Sequence, residues 1–438
     1  MNTITFLGDY IAKDFTDENL WNRYLEQHIT NSDNNIQQQF TRHPQIDSAV
    51  FRFFNNELKF TTFDNFNPGR NLVIIGLHGG WNIDKLNEIT EWFNKDENHK
   101  KSWFDANTKI VIDYTEEGFT TEVFPDLYDW IEEHELEDRV LYVNSTINVD
   151  EVYHKWCRKY RCRPNMRTAW YGFFTIWLLR DRLMCRTTTP IAQARYTPGK
   201  PRFMSLNRRP YQHRILLLTL LQRHNLLEHG AISMPKHFTE REIAWAPEDF
   251  DIPLLWSKTK DGFVGYIDHL EADFTAMYNK LPLIADTSDF STNYALNLND
   301  SFYSNFPINL VTETLFFTSG VFASEKIWKP MLMGQIFIVM SSPLYLKKLR
   351  SLGFKTFDPY ISEEYDLIED HLERANEIVK VMVRLTSLSE AEFEQLLANV
   401  EPILEHNRQL LMDRNQVEEL VCKNVVQTIE SLWDDNAY

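Results

Sequence analysis

The sequence predicts an α/β protein: two Rossmann-like units in series, facing a cleft, with a helical extension at the C-terminal end. Three observations predict it. Short apolar runs alternate with amphipathic helical spacing between Asn71 and Asn144, the pattern of a parallel sheet with crossover helices. A second alternation begins after the turn-rich stretch Thr197-Pro198-Gly199-Lys200-Pro201, where proline and glycine punctuate the chain. From about Asp366 to Trp433 the spacing is almost wholly helical. The expected domains are 1–196, 197–365 and an extension, 366–438, that packs back on both.

Residues 1–65 read as mixed helix and strand. Residues 51–63, FRFFNNELKFTTF, carry Asn55-Asn56 between aromatic-rich arms, which predicts a hairpin. The apolar run Asn71 to Leu77 predicts a strand that ends in His78-Gly79-Gly80-Trp81. A helix is expected over Ile83 to Asn94, a strand over Lys109 to Tyr114, a helix over Val123 to His134 and a strand over Arg139 to Asn144. Residues 152–190, rich in aromatics and arginine, read as helical. In the second unit, Arg202 to Leu206 is a strand. Pro210 marks a helix start, where its missing N–H costs nothing, and the helix runs over Gln212 to Arg223. Pro282 to Asp286, Ile308 to Thr312, Phe337 to Met340 and Lys355 to Phe357 are expected as further short strands.

A length of 438 residues fits two domains. Four cysteines in such a chain do not make a disulfide framework, which points to a reducing compartment. The N-terminus has no basic segment followed by a sustained apolar one, and no apolar run approaches the roughly 18 residues of a membrane span. A cytoplasmic protein without membrane partners is expected. The net charge of −18 is unevenly spread: between Val152 and Arg214 fifteen Lys/Arg face one acid, Asp181, so this segment carries +14 and the remainder −32. Such a segment serves either an anionic partner or the chain's own acidic surface. It interleaves Trp156, Tyr160, Trp170, Tyr171, Phe173, Phe174 and Trp177. Basic residues with aromatics can grip nucleic acid through phosphates and base stacking, or form a helix core with snorkelling arginines.

The stretch Leu310 to Pro330, LVTETLFFTSGVFASEKIWKP, precedes an apolar run, Ile336 to Met340. Glu325 and Lys326 open what reads as a helix, preceded by Ser324. Helix N-termini present unpaired N–H groups and partial positive charge, which suits an anionic ligand. A lysine there can neutralise a leaving diphosphate, as glycosyl transfer without a metal requires. A carboxylate there can hold sugar hydroxyls or offset an oxocarbenium-like charge. The plain alternative is a surface helix start. A second cluster, Ser205 to Pro210, sets Asn207, Arg208 and Arg209 at a strand end before a helix. Guanidinium groups there can bracket a diphosphate; the alternative is a solvated loop with salt bridges.

A transferase that inverts also needs a base for the acceptor hydroxyl. Glu117 or Glu116, after the strand Lys109 to Tyr114, comes first, then Asp113 and His78; adjacent carboxylates raise one another's pKa. The alternatives are an acidic loop and a simple turn. Metal-ligand spacing is poor. Asp249-Phe250-Asp251 reads as a loop, and His154, Cys157 and Cys162 lack a fourth ligand. No Walker-type or Gly-x-Gly-x-x-Gly string is present, which argues against kinases and dehydrogenases.

The block around Glu313 to Lys326 resembles the nucleotide-sugar motif of α-1,3-fucosyltransferase-like enzymes, and more closely a set of uncharacterised bacterial and phage proteins with a similar block. Glu313-Thr314 stands where that family has Glu-Asn, and Phe322 to Lys326 where it has Tyr-Val-Thr-Glu-Lys. Gly320 lies one residue further from the Glu-Lys pair than in the family, and Thr314 replaces its Asn. Asn207 and Arg214 loosely match its Ser-Asn and helix arginine. The resemblance covers roughly residues 200–360 and implies a GT-B glycosyltransferase, metal-independent and inverting, with the donor held by the C-terminal domain. The donor site is expected at Asn207, Arg208, Arg209, Arg214, Glu313, Thr314, Ser324, Glu325 and Lys326. Expected partners are a nucleoside-diphosphate sugar as co-substrate, with no metal or other cofactor, and a hydroxyl acceptor. Two alternatives stand: an enzyme that glycosylates a hydroxylated DNA base held by residues 152–214, and a non-catalytic nucleic-acid or partner-binding module on the same fold.

Overall fold

The computed structural model describes residues 3–8, 53–55, 57–77, 83–115, 118, 121–175, 193–236, 251–286 and 298–434. The chain is α/β and divides into two compact units, Met1–Ile176 with Asn415–Tyr438, and Trp177–Arg414.

The first unit carries a six-stranded parallel sheet in the order β2-β1-β3-β4-β5-β6. Its strands are β1 (Thr3–Gly8), β2 (Glu57–Thr62), β3 (Asn71–Gly76), β4 (Thr108–Tyr114), β5 (Val140–Asn144) and β6 (Arg167–Trp170). Strands β4 and β5 are buried at every residue, as continuous apolar runs covered on both faces must be. The crossovers are α1 (Asp84–Phe93) and α2 (Glu97–Phe104), then α3 (Val123–Glu133), then α4 (Val149–Tyr160). Each buries one stripe: Leu86, Ile89, Trp92 and Phe93 on α1, and Val123, Phe124, Leu127, Trp130 and Ile131 on α3. This is the spacing a 3.6-residue turn sets on one face. Trp103 meets Trp130, and Tyr128 meets Trp156, so α2, α3 and α4 lie side by side.

Two expectations are corrected here. Residues 51–63 do not form a hairpin. Glu57–Thr62 pairs in parallel with β1, from Thr3↔Glu57 to Gly8↔Thr62. Asn55 donates its backbone N–H and its side-chain amide to Glu430 instead of closing a turn. Residues 152–190 are not one helix either. Helix α4 stops at Tyr160, Arg161 takes a left-handed conformation (φ 59°), and β6 follows. Residues 176–192 lie outside the described part.

The second unit carries a four-stranded parallel sheet, β10-β9-β7-β8. The strands are β7 (Phe203–Leu206), β8 (Gly230–Ser233), β9 (Ile308–Thr312) and β10 (Ile336–Met340). Its helices are α5 (Gln212–Arg223), α6 (Ile252–Gly262), α7 (Glu271–Asn279), the single turn α8 (Asp300–Tyr303), α9 (Glu325–Met333), α10 (Tyr345–Ser351), α11 (His371–Ser387) and α12 (Glu390–Met412). Helix α5 is buried continuously from His213 to Leu221, because α6, α7 and α11 pack around it; a helix apolar on all sides belongs inside. Pro210 lies just before its N-cap, Tyr211. Asp251 caps α6 by accepting the Leu254 N–H, which gives the Asp-x-Asp string a structural use. Of Pro282 to Asp286 only Leu283 pairs, in an isolated antiparallel bridge with Met234. Lys355 to Phe357 is irregular: the Asn407 side chain binds both the N–H and the carbonyl of Lys355, in place of a strand partner.

The last helix, α13 (Arg414–Glu430), lies almost wholly within the first unit. Its Asn424 accepts the Trp170 N–H, and Arg167 donates to the Ser431 carbonyl just beyond it. Of the expected extension, therefore, α11 and α12 belong to the second unit and α13 to the first.

Candidate functional site

In a parallel sheet the strand carboxyl ends and the following helix amino ends share one edge, and ligands bind there. In the second unit that edge gathers the ends of β7, β8, β9 and β10 with the starts of α5 and α9. Ser324 is the N-cap of α9. Its Oγ accepts the Lys326 N–H (3.3 Å) and donates to Glu313 Oε2 (2.6 Å), while its own N–H donates to Glu313 Oε1 (3.2 Å). The Tyr345 hydroxyl donates to Glu313 Oε1 as well (2.8 Å). Glu313 is fully buried, and burial pushes its carboxyl above the usual range. It therefore braces the start of α9 from behind.

Lys326 stands in front. Its side chain is 29% exposed, and Nζ lies 3.0 Å from Glu325 Oε1 and 3.1 Å from Ser324 Oγ. Glu325 is 7% exposed. Burial pushes its carboxyl up, Lys326 and Lys329 pull it down, and the lysines prevail, so it stays ionised. The edge therefore presents an ammonium, an ionised carboxylate and a capped helix start together.

The β7 end is held by a relay. Asn207, fully buried, accepts from the Thr312 hydroxyl (2.7 Å), donates to Ser205 Oγ (3.1 Å) and gives its N–H to the Ser233 carbonyl (2.8 Å). Arg208 pairs with Asp286 (3.0 Å), which also accepts from Ser233 Oγ (2.7 Å). Arg209 is exposed and Thr314 half-buried. Arg214 is buried and bridges the carbonyls of Arg209 (3.0 Å) and Thr312 (3.2 Å). Its Nε has no partner among the described residues. Burial lowers the Arg214 guanidinium to about 10, still a cation at neutral pH.

Three contributors carried no signal in the sequence. His213 donates from Nε2 to the Glu313 carbonyl (2.8 Å), since a carbonyl only accepts. Burial and the neighbouring Arg214 hold it near 3, so it is neutral. Tyr345 braces Glu313. Buried Arg374 binds the carbonyls of Ser341, Phe316 and Ile368 and so pins the loop between β9 and α9. An Asn, Ser or Thr before Glu marks a cap in any sequence; a single His, Tyr or Arg within a helix carries no such mark.

In the first unit, His78, Glu116 and Glu117 lie outside the described residues. Asp113 is fully buried at the end of β4, where it accepts the Thr115 hydroxyl (2.8 Å). Among the described residues no group of three His, Cys, Asp or Glu converges as a metal site. His154 pairs with Asp150 (3.4 Å), and burial raises the Cys157 thiol to about 11. No described helix is long and apolar enough to cross a membrane.

No protein-family model matches the chain, and no curated protein matches it. Among solved structures the chain is similar to an α,α-trehalose-phosphate synthase (UDP-forming) from Burkholderia vietnamiensis, with 8% sequence identity and a TM-score of 0.40 over 99% of this chain and 100% of that one. Likeness at this level does not extend to chemistry, and the site itself has to carry the functional reading.

Proposed function

We propose that the chain is a glycosyltransferase of the GT-B type that takes a nucleoside-diphosphate sugar at the carboxyl edge of β10-β9-β7-β8. The observation that carries this is the braced start of α9: a partly exposed ammonium at a helix amino end, set beside an ionised carboxylate. Lys326 meets the diphosphate, with the amino end of α9 adding its dipole. Arg208 and Arg209 flank the phosphates. Glu325 receives sugar hydroxyls. In this reading Glu313, Asn207 and Arg214 position the site and do not touch the donor: Glu313 and Asn207 are wholly enclosed, and Arg214 is engaged by the Arg209 and Thr312 carbonyls.

The transfer inverts. The bond from the anomeric carbon to the diphosphate breaks with its electron pair on the phosphate oxygen, where Lys326 stabilises the charge without a metal. The acceptor oxygen bonds the anomeric carbon and gives its proton to a general base; with Asp113 enclosed, Glu117 or Glu116 comes first and His78 next. The exposed basic residues on α4 lie at the amino edge of their sheet, opposite the end of β4, and so do not support a DNA base as acceptor. Slow hydrolysis of nucleotide sugars tests the proposal against a non-catalytic module. Wild type should release nucleoside diphosphate from one of UDP-, GDP- or dTDP-sugars in EDTA, and a Glu325→Gln/Lys326→Ala variant of unchanged melting temperature should not. Equal release by both, or release from none of them, contradicts it.

A further inference from the structure

The end of α4 carries a feature that the proposed chemistry does not use. Lys155, Arg158, Lys159, Arg161 and Arg163 are all exposed, and none forms an ion pair among the described residues. They lie on the last turns of α4 and on the turn that ends it. Arg161 closes α4 in the left-handed region, where the Cys162 N–H returns to the Cys157 carbonyl (3.1 Å), and the Arg163 carbonyl accepts from Tyr128 (3.1 Å). Glycine or asparagine would hold that conformation with less strain. Cations in a last helical turn also favour the helix dipole. The dipole does not account for Arg163, which lies beyond the helix, nor for Tyr160, which is 58% exposed with Lys159 Nζ 5.2 Å from its ring centre. Tyr160 in turn leans on Trp156 (5.1 Å).

The position within the unit matters as much. Helix α4 starts at the carboxyl end of β5 and returns to the amino end of the parallel strand β6, so this basic turn sits at the edge away from strand carboxyl ends. Helix α3 runs beside it through Tyr128 and Trp156, and exposes Asp129, Glu132 and Glu133. Acid thus lines the α3 side of the basic strip. A duplex or a membrane surface, being broad, would press its phosphates on the α3 carboxylates. A single strand can follow the strip and lay a base on Tyr160.

We propose that the α4 end, Lys155 to Arg163, is a docking surface for single-stranded nucleic acid, separate from the donor site. The test is fluorescence anisotropy of a labelled twenty-residue oligo-dT with the full chain. Binding should be saturable and weaken with salt, with a log-log slope of roughly −3 for four to five phosphate contacts at about 0.7 each. An Arg158→Glu/Lys159→Glu/Arg163→Glu variant should bind at least about tenfold more weakly and lose about 2 of that slope. A charge-neutral Lys155→Gln/Arg158→Gln/Lys159→Gln variant serves as a second measurement if the first unfolds. Tyr160→Ala should weaken oligo-dT several-fold and leave binding of heparin, which has no bases, unchanged. Absent binding overturns the proposal, as does wild-type affinity in the charge variants. Displacement by excess nucleoside diphosphate would place the strand in the donor site and overturn it. So would a surface that instead takes up anionic vesicles, an acidic peptide or a second copy of the chain.

Discussion

At the scale of single residues, the site depends on an asymmetry between two glutamates. Glu313 is enclosed with three donors and no cation in contact; Glu325 is nearly enclosed but touches an ammonium. Their carboxyls are shifted in opposite directions. The folded state keeps the Glu313 proton over a window in which the unfolded chain has lost it, starting near the ordinary value of 4.5. This group's contribution is therefore full below that value and falls as pH rises through the window. Glu313→Gln keeps an acceptor for Ser324 and cannot ionise. Urea unfolding from pH 4 to 8 should show a smaller loss of stability with rising pH in the variant than in wild type. An unchanged or steeper loss would contradict a raised Glu313.

At the scale of elements, what sequence reveals is what is local. Helices α1, α3 and α5 were legible to within about a residue, because their apolar stripes or runs are contiguous and punctuated. So was the start of α9, where Ser324 caps and Glu325 follows. Strand β2 was misread because its partner, β1, lies some fifty residues away in the chain, and pairing at that distance leaves no local trace. Strand β6 hid in a basic, aromatic stretch whose composition suits a helix as well. Its end shows how the last helix is seated. A Cβ on Gly172 would lie 2.7 Å from Val421 Cγ1 and 2.9 Å from Val421 Cβ, on α13. Gly172→Ala should therefore destabilise by about 1–3 kcal/mol and speed hydrogen exchange along α13. Val421→Ala in the same chain should recover part of that loss, as contacting residues couple. Strictly additive effects would place the strain elsewhere.

At the scale of the whole molecule, the chain builds most of one unit, completes a second, and returns α13 to the first. Two α/β units were legible as repeated alternation of strand and helix. The return was not, since nothing in an amphipathic helix says which unit it will cover. The same limit applies to the site. Caps and charges at strand ends announce themselves, whereas the buried braces, His213, Tyr345 and Arg374, depend on packing between distant segments. The central claim is that the start of α9 holds a diphosphate through Lys326 without a metal. Ligand that binds only the folded state stabilises it by about 2.7 kcal/mol at one hundred times its Kd. Thermal unfolding in EDTA with UDP-, GDP- and dTDP-sugars measures this directly. The account predicts that one of them raises the melting temperature of wild type by several degrees and leaves that of Lys326→Ala unmoved. A ligand that stabilises both proteins equally, or no stabilisation by any of the three, would contradict it.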